Sequence, residues 1–361
     1  MSFEPDSRAK AAEGSIVKLR LLQTTDIHAY LVPYNYLRHE PTNRFGFALT
    51  AALIKEARHE AENSMLFDSG DALKGSPLGH FIAQKGLENG EIHPVFRTMN
   101  LLHYDAATVG NHDFNYGLDF LNEALDDANF PYVNANIYYD DGDNNNRHYF
   151  TPYVILPRTF VDESGRKHTI RVGVIGFTLP QTVQWDHGKL KGKVVAKDIY
   201  RTAIKYIPIM KQKGADVIVA LSHSGLGSGN KKFHSKNASH DLAMIDGVDA
   251  ILFGHVHRLF PGDYFADAPN TNLEKGTVNG VAAVEAGRWG SHLGVIDLTL
   301  KKADGGWEVI DSHSEIRPVY DKASGEAAVK PHPDVLKAVH GAHMATLNYL
   351  LTPAGQLQLR K

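Results

Sequence analysis

The sequence predicts an α/β protein of mixed sheets flanked by helices. Short apolar runs of strand length alternate with helix-periodic segments in the first half of the chain, and later runs pair as hairpins. The 361 residues, 43% of them apolar, can bury a large core, and mixed α/β folds of this size often form one unit. No internal repeat or low-complexity linker divides the chain.

Taken in order, Met1 to Ser15 is polar and charged and lacks the apolar stretch of a signal peptide. It is expected to be disordered or tag-like. Such a start fits a cytosolic protein, or a mature form whose export signal was replaced by a start methionine. Ile16 to Thr25 reads as a strand, Ala48 to Ala61 as a helix, and Met65 to Phe67 as a short strand. Val95 to Leu102 is helical, Ala106 to Val109 a strand, Leu118 to Asp127 a helix, and Tyr132 to Ile137 alternates as a strand would. Asp140 to Arg147 is a polar loop. Pro152 to Val161 and Thr169 to Phe177 flank Glu163-Ser164-Gly165-Arg166-Lys167 as a hairpin. Ile199 to Lys213 is a helix and Asp216 to Leu221 a strand. Asp249 to Phe253, Val281 to Glu285 and Leu293 to Leu300 are strand-like, and Ala338 to Leu351 is a helix.

Composition removes several function classes. A net charge of −3 gives no bulk attraction to nucleic acid or an anionic membrane. No apolar run is long enough to span a bilayer. The absence of cysteine excludes disulfides and thiolate metal sites, and suits an oxidising compartment without requiring one.

The chemistry lies at strand exits. Asp26 and His28, Asp71, Asn111 and His112, His223, and His255 with His257 each follow a predicted strand. Sites in open α/β sheets gather at the carboxyl ends of strands. Singly, each has a structural alternative: Asp-x-His as a helix cap, Gly-Asp and Gly-Asn as turns, Gly-His-Val-His as a surface loop. Five exits in succession, all with nitrogen or oxygen donors, are hard to assign to turn chemistry. Carboxylate, amide and imidazole donors in this number exceed one tetrahedral ion. They suit two divalent ions about 3.5–4 Å apart that share a carboxylate, acidify a water and clamp a phosphate oxygen during in-line displacement. A histidine left over could protonate the leaving oxygen.

The runs Asp26-Ile27-His28, Gly70-Asp71, Gly110-Asn111-His112-Asp113, His223 and Gly254-His255-Val256-His257 resemble, in order and spacing, the motif series of the calcineurin-like metallophosphoesterases. Thr24 to His28, Gly75-Ser76-Pro77, Gly110 to Gly117, Ala220 to Gly225 and Gly290 to Gly294 are similar to the 5′-nucleotidase branch, and within it to the bacterial 2′,3′-cyclic-nucleotide 2′-phosphodiesterase/3′-nucleotidases. The resemblance covers roughly Val17 to Tyr320. It implies a four-layer α/β/β/α sandwich and a metal-dependent enzyme that hydrolyses 2′,3′-cyclic nucleotides and 3′-nucleotides by in-line attack of a metal-bound hydroxide. It implies that Asp26, His28, Asp71 and His257 hold one ion, that Asp71, Asn111, His223 and His255 hold the other, and that His112 is the non-ligand histidine. The ions are Mn, Zn, Fe or Co; nitrogen and oxygen donors do not choose among them.

Two departures stand out. An Asp of true 5′-nucleotidases is replaced here by Asn115, which cannot itself supply a charge to support His112; Asp113 or a backbone carbonyl is the expected orienting group instead. The resemblance also implies a C-terminal nucleotide-binding domain beyond Lys361, so that 16–335 is the catalytic domain and 336–361 a helix leading toward it. Relatives of this kind act in the periplasm or cell wall, and the expected partner is a nucleotide, with no stable nucleic-acid partner.

Other features have simpler readings. Trp289 lies near the metals or packs at the rim, and Trp185 is structural. His80, His93, His103 and His343 are ordinary core or surface residues. The Asp140–Asn146 run is a solvated loop rather than a calcium site, and Lys231, Lys232 and Lys236 a solvated charged patch. The rival functions are a 5′-nucleotidase or nucleotide-sugar hydrolase, which Asn115 disfavours, and a non-catalytic binding domain, which the intact donor set disfavours.

Overall fold

The structure is a computed structural model that describes residues 14–87, 90–142, 146–227 and 237–358. Two sheets form its centre. The first runs Gly306–Pro318, His292–Ala303, Ile16–Thr24, Ser64–Asp68, Ala106–Ala107 across the sheet. Its last three strands are parallel and its first two pair antiparallel. In the second, Lys167–Thr178, Val217–His223, Ala250–Phe253 and Val281–Ala286 run parallel side by side. Tyr153–Val161 closes one edge as the partner of a hairpin, and Thr277–Val278 with Thr271–Asn272 closes the other.

Strand alternation builds four layers from these two sheets. Side chains two apart on a strand share a face. Leu19 and Leu21 face the core between the sheets, with Met65, Phe67, Val217, Val219, Leu221, Ala250, Leu252 and Val284. Leu22 and Leu66, one register over, face helices Phe47–His59, Pro94–Leu101 and Pro333–Leu350. On the far side Ile218, Ala220, Ile251 and Phe253 face helix Ile199–Gln212. Strands buried on both faces read as continuous apolar runs, which is why they are legible but not assignable to a face from sequence alone. The order helix, sheet, sheet, helix is the expected sandwich.

Several boundaries have local causes. Ser76 accepts from the Gly79 N–H and Pro77 occupies the first turn, starting helix Pro77–Lys85 inside a stretch read only as a motif. Asp198 caps Ile199–Gln212 by accepting from the Arg201 N–H. The C-terminal helix begins at Pro333, five residues before its apolar periodicity is evident. Gly306–Pro318 is a long strand not anticipated, because one face of it is exposed and its pattern is broken by charge.

Tyr132–Ile137 is a correction. Only Ile137–Tyr139 forms a strand, paired with Val194–Ala196. The alternation was produced by Asn134 and Asn136, both buried. Asn134 Oδ1 accepts from the Asn136 and Ile137 N–H groups, and Asn136 Nδ2 donates to the Thr178 and Lys197 carbonyls. Side-chain amides here substitute for a ladder.

His93 and His343 are structural. His93 Nδ1 accepts from the Val95 N–H at a helix start, and His343 Nδ1 pairs with Tyr36 Oη at 2.8 Å, docking the C-terminal helix. The expectations for residues 1–13, for Lys231, Lys232 and Lys236, and for the centre of the Asp140–Asn146 run lie outside the described residues. No helix among the described residues is long and apolar enough to cross a membrane.

Candidate metal centre

The parallel strands of both sheets end at one place. Gln23 stitches them there: its amide Nε2 donates to the Phe253 carbonyl at 2.7 Å and to Ser69 Oγ at 3.0 Å, while Ser69 Oγ donates to the Leu252 carbonyl. Past these ends the backbone leaves the extended form. Asp26, His28, Asp71, His255 and His257 all have φ between 51° and 81°, a left-handed conformation uncommon for residues other than glycine and concentrated at functional sites. That turn is what swings alternate side chains inward.

Two glycines make the crowding possible. A Cβ on Gly110 would lie 2.2 Å from Asp71 Oδ1, and one on Gly254 would lie 2.1 Å from Thr25 Oγ1 and 2.7 Å from Asp26 Oδ2.

Each central carboxylate spends one oxygen on the loops. Asp26 Oδ2 accepts from Thr25 Oγ1 and the His255 N–H; Asp71 Oδ1 accepts from the His112 N–H. The other oxygens, Asp26 Oδ1 and Asp71 Oδ2, are buried without a hydrogen-bond partner, as are Asn111 Oδ1 and His223 Nε2. The imidazoles are oriented to match. His28 Nδ1 lies 2.6 Å from the Lys74 carbonyl and His223 Nδ1 lies 2.8 Å from the Ser69 carbonyl. A carbonyl can only accept, so both rings carry their proton on Nδ1 and turn Nε2 inward. His257 Nε2 is 3.0 Å from His28 Nε2 and 3.1 Å from Asp26 Oδ1, and His223 Nε2 is 3.1 Å from Asp71 Oδ2.

Buried lone pairs facing one another are costly unless a cation or proton lies between them. Asp26, His28 and His257 bring donor atoms together as one group, and Asp26, Asp71 and His223 as another. His255 sits on the His223 side, ring centroids 5.4 Å apart, and Asn111 adds its oxygen. The donor set fits two divalent ions. Charge follows the same logic. Burial opposes protonation of His223, but Asp71 and then Asp26 outweigh it, and the ring is pushed up to about 10. Burial, and then the charge on His223, lowers His255 to about 4 and keeps it neutral.

His112 is half-buried beside this centre, 5.4 Å from the His28 ring. Its Nδ1 lies 2.7 Å from Asn115 Oδ1. Asp113, one of the two expected orienting groups, does something else: its oxygens accept from the Asp71, Leu73 and Gly110 N–H groups, tying two loops together. Both oxygens of this buried carboxylate are engaged by backbone donors. The other expected group, a backbone carbonyl, is not the Nδ1 partner either. Asn115 thus orients His112 directly, despite lacking charge.

Sequence reading missed four residues. Lys74 Nζ donates to Asn115 Oδ1 and Asp186 Oδ2 accepts from Asn115 Nδ2, each at 2.5 Å. Glu285 is fully buried and accepts from the Arg258 N–H beneath the His257 turn; burial, then the Asp26 charge, raises its carboxyl well above the ordinary range. Trp185, expected to be structural, is 53% exposed, and its ring stacks toward His255 with centroids 6.0 Å apart. None of these carries a motif. Trp289 does lie at the centre, donating its N–H to the Asp26 carbonyl and packing on Tyr30 and Phe45.

The chain is similar to known proteins. Residues 19–259 match the calcineurin-like phosphoesterase family. Over 348 residues the chain is 42% identical to the 2′,3′-cyclic-nucleotide 2′-phosphodiesterase/3′-nucleotidase of Salmonella typhimurium, a match taking in 96% of this chain and 53% of that protein. It is 41% identical to the trifunctional nucleotide phosphoesterase protein YfkN of Bacillus subtilis, over 98% of this chain and 24% of that protein. A crystal structure of calcineurin-like phosphoesterase YfkN from Bacillus subtilis superimposes with a TM-score of 0.88 at 42% identity, covering 93% of this chain and 100% of that one. The chain spans about half the length of the cyclic-nucleotide phosphodiesterases it matches.

Proposed function

The chain belongs to the calcineurin-like phosphoesterases, and on that premise we propose that it hydrolyses the 2′-phosphodiester bond of 2′,3′-cyclic nucleotides and the phosphomonoester of 3′-nucleotides. The observation that carries this is the convergence of partnerless Asp26 Oδ1, Asp71 Oδ2, Asn111 Oδ1 and His223 Nε2 beside a half-exposed His112. The nucleotide class is supported by the names of relatives at 40–42% identity.

Asp26, His28, Asp71 and His257 would hold one ion, and Asp71, Asn111, His223 and His255 the other. Two divalent ions bound there supply Lewis acidity toward phosphoryl oxygens and acidify water enough for attack at neutral pH. The chain's residues do the rest. Asp71 is shared, and its Oδ1 keeps the His112 turn against the centre through the backbone N–H at 2.7 Å. With Nδ1–H held by Asn115 Oδ1, His112 must carry a second proton, on Nε2, to act as the acid; it gives that proton to the leaving sugar oxygen and is left neutral with its proton on Nδ1. Asp113 fixes the spacing of the Asp71 and Asn111 loops. We also place the protein in the periplasm or cell wall; a chain without cysteine has nothing to mispair in an oxidising compartment.

The deciding experiment reconstitutes the protein with Mn²⁺ and offers 2′,3′-cyclic AMP, 3′-AMP and 5′-AMP separately. The expected products are 3′-AMP and then adenosine from the cyclic nucleotide, with 5′-AMP the poorest substrate. Preferred turnover of 5′-AMP selects the 5′-nucleotidase reading instead, and no turnover of any sinks the proposal.

A further inference from the structure

We infer that Asp186 is a positioning residue for His112, acting through the side-chain amide of Asn115; the inference rests on the phosphoesterase reading above. An amide has a donor end and an acceptor end, and its neighbours decide which way it faces. Around Asn115 they agree. Asp186 Oδ2 only accepts, and takes the Asn115 Nδ2 proton at 2.5 Å. Lys74 Nζ only donates, and does so to Asn115 Oδ1 at 2.5 Å. Both place the amide oxygen toward His112, where it meets Nδ1 at 2.7 Å. An oxygen at that position requires Nδ1 to be the N–H, which leaves Nε2 as the atom available to substrate.

The element that supplies Asp186 is built for this. Asp186 lies at the break between helix Thr182–Trp185 and helix His187–Leu190, with φ −105° and ψ 31°. Lys189, one turn later, donates Nζ to the Asn115 backbone carbonyl. Two contacts therefore tie the 182–190 segment to the His112–Tyr116 turn, 71 residues away in the chain for the Asp186 pair. The preceding residue, Trp185, stacks toward His255 on the other side of the centre. A carboxylate missing from position 115 is present one side chain behind it.

The test is Asp186→Asn, which keeps the size but offers Asn115 both a donor and an acceptor, so that of the two flanking groups only Lys74 still selects the amide's orientation. A positioned acid contributes about 10²–10⁴-fold where the leaving group is poor. The Mn²⁺-loaded variant is therefore expected to lose about 10–100-fold in kcat on 2′,3′-cyclic AMP with little change in KM, and to hydrolyse bis(4-nitrophenyl) phosphate, whose leaving group needs no proton, within about threefold of wild type. In the zinc-loaded protein labelled with ¹⁵N-histidine, His112, identified by its loss in His112→Gln, is expected to shift away from the Nδ1–H state. Equal losses on both esters, loss of a bound ion, or an unchanged His112 spectrum overturns the inference. A wild-type protein inactive on both esters instead overturns the phosphoesterase reading, and the ¹⁵N measurement then still decides the role of Asp186.

Discussion

His255 and His257 are two residues apart in the chain and face two sides of one centre: His257 lies against His28, ring centroids 5.1 Å apart, and His255 against His223 at 5.4 Å. Left-handed φ angles of 81° and 58° turn both side chains inward from a strand exit. Removing one should therefore leave the other's ion in place. His255→Ala and His257→Ala are each expected to bind one fewer metal ion per chain by elemental analysis after dialysis. Loss of the same single ion, with full affinity at the other site, in both variants would mean that one ion takes both imidazoles.

In the proposed ligand assignment Asp71 is the donor common to both ions, and Asp71→Asn keeps the N–H acceptor for His112 while removing charge from the partnerless oxygen. Groups one shell further out commonly cost 10–100-fold, so loss of a carboxylate common to both ions is expected to cost at least about 1,000-fold in kcat/KM. Turnover near wild type would remove Asp71 from its role.

Protons compete with metal here. His223 is pushed up to about 10 in the ion-free protein, because Asp71 and Asp26 outweigh burial. At neutral pH it carries a proton that an ion has to displace. Titration calorimetry in buffers of different ionisation enthalpy is expected to show about one proton released on binding to that side, with affinity falling about tenfold per pH unit below neutrality. Binding with no proton release would contradict the charge state assigned to His223.

Asp68 supplies a pH-dependent term to stability. It is fully buried, and burial foremost pushes its carboxyl up to about 8. Thr24 Oγ1 and the Gly70 N–H are its hydrogen-bond donors. Because folding raises this group, the stability it contributes is fully present below the unfolded value of about 4 and is lost as pH rises through about 8. In chelator-treated protein the Tm of wild type is expected to fall between pH 5 and 8 more steeply than that of Asp68→Asn, which stays neutral throughout. Parallel curves would show that Asp68 is ionised in the fold.

Trp185 shows how local a reading from sequence is. An indole in a 361-residue chain is most often core, and nothing in Thr182-Val183-Gln184-Trp185 places it elsewhere; yet it stands at the rim over His255 because two very short helices break beside it. Tyr132–Ile137 failed for a related reason: buried Asn134 and Asn136 mimic strand alternation while bonding to Thr178 and to local N–H groups. Polar side chains that satisfy backbone groups leave no periodic mark of their own.

The sequence by itself determined the alternation of apolar strands with helices and the polar exits that carry Asp26, His28, Asp71, Asn111, His223, His255 and His257. Those features are set by residues adjacent in the chain, and hydrophobic periodicity and turn chemistry report them directly. Tertiary structure alone decided which donors share a side of the centre, that Asp113 serves the loops, and that Asn115 is flanked by Lys74 and Asp186. Each of these depends on contacts between residues 40 or more apart. Such contacts arise when two sheets pack and their strand ends meet, and no local pattern encodes where distant side chains then point.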